Sequence, residues 1–90
     1  MFVAVSFDVS HEDNIGELKN LLGLYGFTEV HTALWESTKI MEKYLARLKR
    51  DIDRCTDYYD TIRIYQYPLE GVLVLTSLKY KRWTRVKVKP

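Results

Sequence analysis

With 90 residues, 47% of them apolar and 13% aromatic, the chain has the size and composition of one small globular domain. A domain this small buries only about 60–65% of its unfolded-chain surface, so support from a partner is expected. No stretch nears the roughly 18 apolar residues of a membrane helix, no signal-peptide pattern precedes the first strand, and the single Cys55 excludes an internal disulfide, so a cytoplasmic protein with no membrane contact is expected.

The first strand, Met1 to Val9, alternates Val3, Val5, Phe7 and Val9 on one face with Phe2, Ala4, Ser6 and Asp8 on the other. Residues 14–25 place Ile15, Leu18, Leu21, Leu22 and Tyr25 at helical spacing, and Gly26 stops that helix. Thr28 to Trp35 alternates again, with His31, Ala33 and Trp35 opposite Val30 and Leu34, and reads as one strand bent near Ala33. Ser37 or Thr38 can cap a second helix carrying the stripe Ile40, Tyr44, Leu48, Ile52 and Cys55, the last a small core residue. Thr61 to Tyr67 and Val72 to Leu78 are strands joined by Pro68, Leu69, Glu70 and Gly71, a hairpin-loop composition.

Charge is divided unevenly along this order. Residues 1–78 carry eight basic against twelve acidic side chains, a net of −4, while residues 79–90 carry six basic and no acidic ones. That last segment still alternates, with Val86 and Val88 opposite Arg85, Lys87 and Lys89, and Trp83 gives it an anchor. It reads as a strand docked on an existing sheet, with the partner's sheet a candidate. The chain therefore divides into a domain over 1–78 and a basic strand or tail over 79–90. Two helices on one face of a mostly antiparallel sheet give an α+β sandwich of ferredoxin-like type. Its uncovered face, with Ala4, Ser6, Ala33 and Trp35, is expected to pair two copies into a homodimer.

No phosphate-binding loop, dinucleotide fingerprint, nucleophile elbow or paired-cysteine zinc motif is present, and His11 and His31 lack ligand spacing. Asp8 stands alone at the carboxyl end of the first strand, where it either caps the following turn or meets a ligand. One carboxylate per subunit completes a magnesium or manganese shell only by pairing across a two-fold axis. Lys43, Arg47, Arg50 and Arg54 step by four, three and four along the second helix and can track phosphates. Glu42, Asp51 and Asp53 lie within pairing distance of them, so an ordinary salt-bridged solvent face is the competing reading. Lys81, Arg82, Arg85, Lys87 and Lys89 extend the phosphate-contact set. Arg63 shares a face with Tyr65 and Tyr67, but the sheet lacks the aromatic pattern of an RNA-recognition fold.

Four segments resemble the small CRISPR-associated Cas-two proteins of the spacer-acquisition machinery, across nearly the whole chain. They are Phe7-Asp8-Val9-Ser10, Leu24-Tyr25-Gly26, His31-Thr32-Ala33-Leu34-Trp35-Glu36 and Arg63-Ile64-Tyr65. The third stands where that family tends to have Gln-x-Ser-Val-Phe-Glu. The resemblance implies a ferredoxin-like homodimer whose final strand adds to the partner's sheet, seated between two Cas-one integrase dimers on protospacer DNA. It also implies that Asp8 matches an aspartate of a magnesium-dependent nuclease activity. Asn14, Ile15 and Gly16 depart from the arginines frequent in that family, and Ala33 replaces a serine, which favours a scaffold role over catalysis. VapD-like ribonuclease toxins, acting on RNA, and a non-catalytic ferredoxin-like interaction module are the alternatives.

Overall fold

The apolar half of the first strand organises the chain around itself. In the computed structural model, which describes residues 1–67 and 71–88, β1 (Phe2–Asp8) lies inside a six-stranded sheet. It is followed by α1 (Glu12–Leu24), β2 (Thr28–His31), β3 (Leu34–Ser37), a 3-10 turn (Glu42–Tyr44) and α2 (Leu45–Arg54). Three further strands, β4 (Thr61–Tyr67), β5 (Leu73–Lys79) and β6 (Arg82–Val88), complete the chain. The spatial order is β2-β3-β1-β4-β5-β6, antiparallel at every step. The architecture is α+β, as the periodicities require. No described helix is long and apolar enough to cross a membrane.

Both helices cover one face of the sheet. Val3, Val5 and Phe7 join Ile62, Ile64 and Leu78 in a single core with Leu18 and Leu22 of α1 and Leu45, Leu48 and Ile52 of α2. Removing each such side chain from water contributes on the order of 1.5–3 kcal/mol. Cys55 ends α2 inside this core, its thiol donating to the Asp51 carbonyl at 3.4 Å. Burial raises its pKa, with Glu17 and Asp51 adding to the effect. Gly26, at φ 87°, terminates α1: its N–H and that of Phe27 bond back to the carbonyls of Gly23 and Leu22, the pattern that a left-handed residue after a helix permits. The Tyr25 hydroxyl then pins α1 to α2, donating to Asp51 at 2.7 Å and accepting from Arg47 Nε at 2.9 Å.

The structure corrects two readings in the middle of the chain. Residues 28–35 are not one bent strand, because Thr32 and Ala33 turn the chain back and β3 begins at Leu34. A register shift between Glu29 and His31 accompanies the turn, so faces counted through it come out reversed. Trp35 lies opposite Val5 on the helix side, where it and Ala33 pack against the core; Ala33 and Trp35 therefore leave the open face. The indole N–H of Trp35 is buried with no partner among the described residues. Leu34 and Glu36 take their place opposite Ser6 and Ala4. Nor does Ser37 or Thr38 cap the second helix. Ser37 ends β3, its hydroxyl accepts from the Lys39 N–H at 3.2 Å, and α2 begins at Leu45.

The basic C-terminal strand, expected on a partner's sheet, closes on its own. Tyr80 and Lys81, at φ 54° and 57°, form the two-residue turn between β5 and β6, whose handedness matches the twist of paired strands. Left-handed backbone costs a residue other than glycine about 1–2 kcal/mol, and contacts with α2 offset it. The Lys81 ammonium pairs with the Asp53 carboxylate and donates to the Asp53 and Thr56 carbonyls at 2.7 and 3.0 Å, capping the carboxyl end of α2. Trp83 Nε1 donates to the same carboxylate at 3.2 Å. The loop expected at residues 68–71 lies outside the described residues except for Gly71.

Candidate nucleic-acid interface

Pairing of β6 with β5 sorts the basic tail by face. Trp83, Arg85 and Lys87 lie opposite Leu78, Thr76 and Val74 on the helix side, whereas Arg82, Thr84, Val86 and Val88 lie on the open side. Between Trp83 and α2 runs a groove of about 580 Å³, lined also by Ala46, Lys49, Arg50, Asp53 and Arg54. The small side chain of Ala46 leaves the space that the flanking bases line. Asp53, the acid among them, is occupied by Lys81 and Trp83. Arg54 has only a loose, exposed contact with Asp51 at 3.7 Å. Lys49, Arg50, Arg85 and Lys87 have no carboxylate partner among the described residues.

Lys49 shows the resulting electrostatics. Partial burial, and then the neighbouring Arg85 guanidinium, lower its pKa from the ordinary lysine value. The folded chain thus holds this proton less tightly than the unfolded chain, and folding carries a penalty while the ammonium is charged. An uncompensated cation of this kind is what a polyanion would relieve. Lys49→Gln should therefore raise the thermal midpoint at neutral pH by at most a few degrees. That advantage should shrink as pH rises through the depressed pKa, while binding of polyanions weakens. A lower midpoint for the variant at neutral pH would contradict this account.

The other expected phosphate contacts are dispersed. Arg47 faces α1, over the Tyr25 and Tyr44 rings at 5.4 and 5.2 Å. Lys43 sits over Tyr44 at 5.1 Å. Lys81 is spent on α2, Arg82 lies on the open face, and Lys89 lies outside the described residues. Arg50, Arg54, Arg85 and Lys87 remain on the groove side. Lys49, which a helical stripe beginning at Lys43 steps over, is the addition; its signal was the neighbouring Ala46, a gap in an otherwise bulky helix face.

Asp8 ends β1 on the open face, exposed and opposite Thr61, with Lys79 and then Arg82 next in the same row. It does not cap α1: the cap position is His11, with no side-chain bond. Asp60 ties this corner together, 2% exposed and accepting from the N–H groups of Ser10 at 3.2 Å and Asp57 at 2.7 Å. Among the described residues no three His, Cys, Asp or Glu side chains converge to hold a metal ion.

The remainder of the open face is largely apolar. Phe2, Ala4, Leu34, Tyr65, Leu73 and Leu75 form its middle, continued by exposed Val86 and Val88. Ser6 and Arg63 lie opposite each other within it. Comparison with family models, curated proteins and solved structures finds no match for this chain.

Proposed function

We propose that this protein is a homodimeric, sequence-independent DNA-binding scaffold of Cas-two type, serving spacer acquisition between Cas-one integrase dimers. The observation that carries the DNA-binding part is the α2–β6 groove, where the lining Lys49 and Arg50, and Arg85 and Lys87 on the same side of β6, lack carboxylate partners among the described residues. Basic side chains flanking an open groove suit the evenly spaced charges of a phosphate backbone. The strand order β2-β3-β1-β4, with helices joining β1 to β2 and β3 to β4, supports the ferredoxin-like reading, and β5 and β6 extend that unit. The spacer-acquisition role rests on the resemblance in the four segments around Asp8, Tyr25, Trp35 and Arg63.

Two copies would meet through the open face, where Ala4 lies between Glu36 and Tyr65 and Ser6 between Leu34 and Arg63. The residues at Asp8 fit a magnesium or manganese ion only if both subunits contribute their carboxylates, giving hard oxygen ligands, with Arg63 in the next cross-strand pair of the same face. The ion would supply Lewis-acid activation, and Asp8 would only bind it. Asp8→Asn should leave dimerisation and DNA affinity unchanged and abolish any metal-dependent cleavage. Cleavage at the parental rate by the asparagine variant would remove Asp8 from the chemistry.

Titrating unrelated duplexes at several salt concentrations tests the main reading. If about six phosphates are neutralised, log affinity should fall with a slope near −5 against log salt, each contact giving about −0.9. Affinity insensitive to salt, or strong discrimination between sequences, would overturn it.

A further inference from the structure

Three tyrosines meet where the groove runs out at the carboxyl end of α2. Tyr58 and Tyr59 come from the α2–β4 connection and Tyr80 from the β5–β6 turn, and they are 55%, 82% and 50% exposed. Tyr58 stands edge-on to Tyr59 with ring centroids 5.1 Å apart, and lies tilted against Tyr80 at 5.3 Å. Single exposed aromatics are ordinary, but here three rings touch one another and none belongs to the core. Tyr80 is held outward by a left-handed backbone, and the Lys79 ammonium lies over its ring at 5.4 Å.

We infer that these rings form a stacking platform for the unpaired nucleotides of a nucleic-acid strand whose duplex part occupies the α2–β6 groove. The inference rests on the polyanion reading of that groove and adds a ligand class to it. Bases present an apolar π-face whatever their sequence, which suits a cluster of rings that are each half or more exposed. The surrounding charge suits the phosphates that come with them. Lys79 and Arg82 are exposed beside the platform and Arg54 stands at the adjoining groove end; the nearby acids are Asp8, across Thr61 from Lys79, Asp57, which accepts from Asn14, and Asp60, which is buried and engaged by the Ser10 and Asp57 N–H groups. A protein partner would gain less from this mixture, since the rings are exposed and lie among basic groups.

The test compares a blunt duplex with the same duplex carrying a short unpaired extension that contains 2-aminopurine, in deoxyribose and ribose forms. The extension should tighten binding about tenfold and quench the aminopurine fluorescence. Tyr58→Ala combined with Tyr59→Ala should abolish the gain and the quench while leaving blunt-duplex affinity intact, whereas Tyr59→Phe should keep both. A gain with either sugar supports the platform, and the larger gain names the polymer. Salt-sensitive binding of the blunt duplex with no gain from either extension would overturn the platform and leave the groove reading standing. Failure of every duplex to bind would overturn both.

Discussion

Replacing Leu75 with lysine should convert a dimer into a folded monomer. Leu75 lies in the row that runs from Glu36 through Ala4 and Tyr65 to Val86 across the open face. In a free chain the new ammonium reaches water from this half-buried position, so circular dichroism should change little. In a two-fold assembly the substitution is made twice, and burying an unpaired charge costs about 2 kcal/mol or more each time. Dissociation should therefore rise by about a thousandfold, which sedimentation or light scattering reads directly. A parent protein already monomeric at micromolar concentration would refute the dimer.

Neutralising the groove should have the other large effect. Each phosphate contact contributes about 0.9 to the salt slope. Converting Lys49, Arg50 and Arg85 together to glutamine should then reduce the slope by about 2.7 and weaken duplex binding near 0.1 M salt by about 10² to 10³. Lys19→Gln is the matched control, since Lys19 lies on α1 and is paired with Glu29 at 3.6 Å. Equal losses per charge removed in the control and the triple variant would make binding a matter of net charge, with no groove involved.

What could be read from the sequence was whatever repeats at a fixed period within one element. The two faces of β1, the bounds of β4 and the stop at Gly26 all follow from alternation or from a residue with one conformational role. The β2–β3 turn escaped because Thr32 and Ala33 are not turn formers, and the alternation of 28–35 continues through them. Alternation continued through that turn puts Trp35 on the wrong face. The groove was only half legible. Arg50 and Arg54 stand out on a helical stripe, but Lys49 becomes part of a site only because Trp83 and Arg85 arrive opposite it from a strand some thirty residues later. The tyrosine cluster likewise has no spacing to find, since Tyr80 joins Tyr58 and Tyr59 only through the fold.

The outermost strands of the sheet bear on how far assembly can proceed. An uncovered strand carries a row of unpaired backbone groups onto which another chain can add. On one side that strand is β2, only four residues long and broken in register between Glu29 and His31, a poor template. On the other it is β6, seven residues long, where a second β6 would bring Arg82, Arg85 and Lys87 against their own kind. Both edges thus resist lengthening of the sheet, one by its shape and the other by its charge. Pairing of two copies through the open face, as proposed, would cover its apolar middle, and with both edges unfavourable for addition such an assembly would close at two.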